Sequence, residues 1–104
     1  MSGPELTVGR AVISELVRLA AFEVPGVARV GHGGPAWRGW LLGRPVSVHV
    51  RDEGVVIRLR IVARPGHPLG PLTAQVRTAI AATVERLLGL DLGAITVIVD
   101  GVGG

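Results

Sequence analysis

Val12-Ile-Ser-Glu-Leu-Val-Arg-Leu-Ala-Ala-Phe-Glu-Val-Pro-Gly-Val-Ala-Arg-Val30 and Val76-Arg-Thr-Ala-Ile-Ala-Ala-Thr-Val-Glu-Arg-Leu-Leu-Gly-Leu-Asp-Leu-Gly-Ala-Ile-Thr-Val-Ile-Val-Asp-Gly-Val102 are two helix–turn–strand units, one toward each end of a 104-residue chain. In the first, Ile13, Leu16, Val17, Ala20 and Val24 recur at helical spacing and form one apolar face from about Arg10 to Glu23. Glu15 and Arg18 fall on the outer side, within pairing reach across a turn. Pro25-Gly26 ends the helix, because Pro cannot continue the hydrogen-bond ladder and Gly permits the turn. Val27 to Val30 then reads as a short strand, and Leu6-Thr7-Val8 as another ahead of the helix. In the second unit Val76, Ile80, Val84 and Leu87 make the buried stripe of a helix over about 72–88. Gly89 suits the position after a helix end, with Leu90 placed to pack back on the last turn. Ala94 to Asp100 is the closing strand, with Ile95, Val97 and Val99 inward.

Between the units lies a hairpin. Val46, Val48 and Val50 alternate with Ser47, His49 and Arg51; after Asp52-Glu53-Gly54, Val55, Ile57, Leu59 and Ile61 alternate with Val56, Arg58, Arg60 and Val62. One face is apolar and belongs to the core, and the other carries His49, Arg51, Arg58 and Arg60 outward. Strand–helix–strand from 55 to 100 is a crossover, so the last strand should run parallel to the second hairpin strand. The predicted fold is α+β: a two-layer sandwich with two helices on one face of a small mixed sheet, in the order α-β-β-β-α-β. A single domain over 1–104 is expected. Residues 31–45 form an irregular Gly/Trp insert that holds both tryptophans, Trp37 and Trp40, beside Leu41 and Leu42.

Composition narrows the chemistry. There is no Cys, which removes disulfides, thiolate metal sites and a Cys nucleophile. All 11 basic residues are Arg, and against 8 acids the net charge is a modest +3. Residue usage rich in Arg, Ala, Gly and Val matches a GC-rich bacterial genome. The segment Met-Ser-Gly-Pro-Glu-Leu-Thr has no basic region leading into an apolar one, so no signal peptide is expected. Nor does any stretch reach the ~20 apolar residues of a membrane span.

His32, His49 and His67 lack the i, i+4 spacing of a helical metal site, and Ser2, Ser14 and Ser47 lack a nucleophile-elbow context. Gly31-His-Gly-Gly34 and Gly66-His-Pro-Leu-Gly70 lack the Lys and Ser/Thr of a phosphate loop. No catalytic residue, metal or cofactor is therefore expected. The Arg face, with Arg64 continuing it, reads either as a solvated surface that resists edge-to-edge association or as a surface for phosphates or an acidic protein. Without stacking aromatics on the hairpin, a nucleic-acid module is the second reading. Trp37 and Trp40 read as a partner-binding segment or as a cap on the open end of the core. The candidate partner-binding residues are Trp37, Trp40, Leu41, His49, Arg51, Arg58 and Arg60.

The run Ala20-Ala-Phe-Glu-Val-Pro-Gly-Val27, the Val-rich hairpin, and the close from Val84 to Leu90 with Ile95-Thr-Val-Ile-Val-Asp-Gly-Val102 resemble the alkaline shock protein family of small bacterial envelope-stress proteins. The likeness covers most of the chain outside 31–45. It implies a non-enzymatic cytoplasmic protein of cell-envelope homeostasis that self-associates or binds a protein partner. Some members of the family are held near the inner face of the membrane by a separate anchor protein, and the resemblance extends that peripheral location to this chain as an expectation. The Arg-rich sheet face and the Trp-bearing insert depart from the family pattern.

Overall fold

The structure, a computed structural model, describes the backbone of residues 2–35, 37, 40, 41 and 43–103, and the side chains of these from Gly9 onward. The elements are α1 (Ser2–Phe22), β1 (Val27–Val30), β2 (Val46–Arg51), β3 (Gly54–Ala63), α2 (Leu69–Ala82), a π-helical turn (Thr83–Leu87) and β4 (Leu92–Val102). The strands make one mixed sheet. β1 and β2 pair antiparallel with β3, and β4 runs parallel to it, as the crossover requires.

β3 is the axis of the sheet. Its inward residues Val55, Ile57, Leu59 and Ile61 are buried, three of them completely. Ile13, Val17 and Ala21 of α1 and Leu72, Val76 and Ile80 of α2 close over them in one cluster. The core-facing residues recur every second position on β3 and every third or fourth on the helices, and stacking the two layers buries both sets together. Leu16 and Ala20, expected on the same stripe, are half-buried. Gly26 packs so closely that an added Cβ would fall 2.7 Å from Leu72 Cδ1 and 2.9 Å from His67 Nδ1. A side chain at the Pro-Gly turn would have to displace Leu72 and His67, and the Gly26 backbone is not in the left-handed region.

Four local expectations are corrected. Residues 6–8 are helical, and α1 begins at Ser2. Pro4 falls in the first turn, where its missing N–H breaks no intrahelical bond, so the chain starts its helix well before Gly9. α2 likewise starts at Leu69, with Pro71 in its first turn, instead of near residue 72. Leu87 is 73% exposed, while Leu88 packs against the core. The cause is the π turn: Leu88 N–H bonds the Thr83 carbonyl five residues back at 3.2 Å. That wider turn rotates the stripe by a residue. Gly89 then stops the helix at φ +65°, but Leu90 stays exposed at the surface.

Candidate functional site

The face of the sheet away from the helices carries the polar candidate residues of the hairpin, and β1 and β2 organise it. β4 occupies one edge of β3, so β1 and β2 share the other, end to end. Val30 lies opposite Ile61 and Val46 opposite Leu59. One residue, Arg60, stands between them. Its carbonyl accepts the Gly31 N–H at 2.9 Å, and its own N–H donates to the Pro45 carbonyl at 2.9 Å. β1 and β2 are thus two halves of one edge strand. The insert departs and returns at a single residue position, an Ω-loop with its ends together.

Polar contacts close its neck. His32 Nε2 donates to the Gly43 carbonyl at 2.7 Å, and Arg29 Nη2 donates to the His32 carbonyl at 3.0 Å. The chain then crosses β3 on the open face to reach β4, where Gly33 N–H donates to Asp100 Oδ2 at 2.9 Å. A Cβ on Gly33 would overlap the Asp100 carbonyl, so the crossing admits only glycine. Val62, on the outward register of β3, is buried at this end. Asp100 Oδ1 lies 3.5 Å from Arg60 Nη1, and Oδ2 lies 3.6 Å from His32 Nδ1, which is buried without a hydrogen bond. Asp100 thereby ties the insert, β3 and β4 together.

Away from the neck the described residues of the insert are exposed. Trp37 is 59% exposed, Trp40 85% and Leu41 65%, so none of these three caps the core. Leu42 lies outside the described residues. Of the outward charges, Arg58 and Arg60 sit two apart on β3, with Ser47 opposite Arg58 on one side and Thr96 on the other. Arg51 stands at the hairpin end opposite Gly54, and Arg64 lies past the end of β3. The open face is not flat. Arg44, Ser47, His49, Arg58, Arg60 and Ile98 line a half-open cleft of about 330 Å³. Arg51 and Arg64 do not contribute to it.

Within the cleft Ser47 Oγ lies 3.2 Å from His49 Nε2. Among the described residues no carboxylate orients the other nitrogen of this exposed imidazole, as an activated serine would require. No group of three or more His, Asp or Glu side chains among the described residues could hold a metal ion. No helix there is long and apolar enough to cross a membrane.

Of the hairpin residues that the sequence marks as candidates, His49, Arg58 and Arg60 lie on one cleft and Arg51 lies apart from it; Arg44 at the cleft, and His32, Gly33 and Asp100 at the neck, are not among those candidates. Arg44 reaches the cleft only because Pro45 returns to Arg60. Asp100 meets Gly33 across 67 positions of chain, and no local pattern signals that contact.

The solved structures most like this one include MamM CTD in its manganese form, with a TM-score of 0.63 at 16% identity over 88% of this chain and 98% of that one. A zinc form of MamM CTD gives 0.65 at 14% identity, covering 90% of this chain and 87% of that one. At such identity the likeness is one of fold. A comparison with curated proteins finds no match. The model of the alkaline shock protein family, described as having a cell envelope-related function, matches residues 2–103, and the chain belongs to that family.

Proposed function

We propose that the chain is a non-catalytic interaction protein that works beside the cell envelope by associating with further copies of itself through the 31–45 insert. The observation that carries this reading is an insert held shut at its neck while Trp37, Trp40 and Leu41 stand in solvent. Each such aromatic can bury on the order of 150–250 Å². Two of them with Leu41 supply much of the roughly 800 Å² per partner that a stable interface covers. A rigid base under an apolar tip also lowers the ordering cost of association. The imidazole–carboxylate pair of His32 and Asp100 serves the neck, which supports a role without catalysis. The family's cell envelope-related function supports the envelope part of this reading; the proposed place is the inner face of the membrane, reached through a separate anchor protein.

Sedimentation of the full chain between about 1 and 100 μM, a range set by interfaces of this modest size, tests the reading. Oligomers should form, and Trp37→Ser with Trp40→Ser should return the protein to monomer with its far-UV circular dichroism and cooperative unfolding retained. A wild type that stays monomeric throughout, or a folded double mutant that still assembles, defeats it.

A further inference from the structure

Arg44 arrives from the insert, Arg58 and Arg60 from β3, and Ser47 and His49 from β2, and all five converge on the one cleft of about 330 Å³. The three guanidinium groups are not balanced locally. Arg60 faces Asp100, but that carboxylate is already shared with the Gly33 N–H and His32. Among the described residues Arg44 and Arg58 have no ion pair or side-chain hydrogen bond, so the cleft keeps an excess of two positive charges. Arg58 and Arg60 project from the same face of one strand, and such like charges repel unless something neutralises them.

We propose that this cleft binds a terminal phosphate monoester. A phosphomonoester carries close to two negative charges near neutral pH and presents three strong acceptor oxygens. Two charges match the unbalanced pair. Guanidinium forks suit phosphate because each can give two parallel N–H bonds to it. Ser47 and His49 stand at the β2 side of the cleft to take a remaining oxygen. The volume lies at the small end of ligand sites, room for one phosphoryl group and a short polar body. A nucleic-acid backbone is a poorer fit. It needs a groove that tracks several phosphates and aromatic platforms for the bases, and no aromatic lines this cleft.

The phosphoryl group can belong to a free metabolite or to a lipid headgroup, and one experiment with two arms separates them. In the first arm, the ¹⁵N-labelled full chain is titrated with glycerol 3-phosphate in low salt. Saturable amide shifts should cluster at Ser47, His49, Arg58, Arg60 and Ile98. Arg58→Gln should weaken binding at least tenfold, Arg58→Lys should recover only part of it, and Arg51→Gln, outside the cleft, should leave it unchanged. In the second arm, flotation with vesicles of phosphatidylcholine alone or with added phosphatidic acid reads recruitment. Arg58-dependent flotation with phosphatidic acid assigns the lipid source, and saturable glycerol 3-phosphate binding without flotation assigns the free one. Shifts that do not saturate in the first arm, with no Arg58-dependent flotation in the second, overturn the proposal. So does equal loss on changing Arg51 and Arg58, which would mark diffuse charge. A single-stranded oligonucleotide without a terminal phosphate that binds more than 100-fold tighter than glycerol 3-phosphate would also overturn it.

Discussion

The two faces of β3 obey different rules. On the face under the helices, Ile57, Leu59 and Ile61 are fully buried and are held only by packing. On the open face, Arg58 and Arg60 stand at the same spacing, and what holds that side is a handful of directed bonds: Gly31 and Pro45 to the Arg60 backbone, His32 to Gly43, Gly33 to Asp100. Packing is cooperative and spread over many contacts, whereas a polar neck stands or falls with individual groups. The helix-covered face should therefore set global stability and the open face should set only where the insert sits.

The largest effect should come from the packed face. Leu59→Ala removes a fully buried side chain at the middle of β3. Such truncations cost about 2–5 kcal/mol, a large part of the stability of a domain this small. Denaturant unfolding should show a lowered midpoint at unchanged slope. A loss below about 1 kcal/mol would mean the core has room to collapse there, and the contrast between the faces would weaken.

Gly33→Ala tests the open face at its tightest point. The new methyl must displace backbone, not a flexible side-chain tip, because its neighbours are the carbonyl of Asp100 and Cα of Gly101. Overpacking of this kind costs about 1–3 kcal/mol. Gly31→Ala, two residues earlier, meets only the far end of Arg29 and is the matched control. Hydrogen exchange should quicken at Gly31, Gly33 and Arg60 while Ile57 and Ile80 keep their protection. Equal loss of protection in the core would show that the two faces unfold as one unit.

The two faces also differ in how far the sequence reveals them, and for the same reason. The packed face is written in periodicity, and Val55 to Ile61 with Val76, Ile80 and Val84 announce it in the chain itself. Where that reading slips, a local device has altered the period. The π turn moves the buried position from Leu87 to Leu88, and prolines in first turns conceal helix starts at Ser2 and Leu69. The outward placement of His49, Arg58 and Arg60 follows from the same alternation. That the insert begins and ends opposite one residue, bringing Arg44 to Arg58, depends on strand register across the gap, and no window of sequence contains it. The Gly-rich composition of 31–45 suggests a loose loop, whereas its neck is closed by hydrogen bonds at both ends.

Deleting residues 32–45 sharpens the comparison further. Gly31 would be left as the single residue opposite Arg60, and β1 would run into β2 without a change of register. Two terms then oppose each other. Closing a loop of this length costs of order 2 kcal/mol of chain entropy, which the deletion recovers. The charge-assisted bond from Gly33 to Asp100, worth about 1.5–3 kcal/mol, is lost. The net change in stability should fall within about 1 kcal/mol of zero. The shortened chain should keep its melting cooperativity and lose both self-association and the Arg44 contribution to phosphate binding. Failure to fold would make the insert part of the core rather than a graft on it.

The smallest effect belongs to a surface outside either face. On the solvent side of α1, Arg18 Nε donates to Glu15 Oε1 at 3.4 Å and its Nη2 to Oε2, and both side chains are about half exposed. The hydrogen bond from Arg18 holds the Glu15 carboxyl below its usual value, and the same contact raises that of Arg18. A carboxyl depressed in the folded state adds stability that is present above its unfolded value and is lost as pH falls through the folded one. The wild type should therefore exceed Glu15→Gln only slightly near neutral pH. That margin should close below about pH 4 and shrink in about 0.5 M salt, because exposed pairs are screened by solvent and ions. A margin that persists in acid would have to come from packing of the Glu15 stem on α1. In that case the outer surface of the helix would share in the stability assigned here to the packed face of β3.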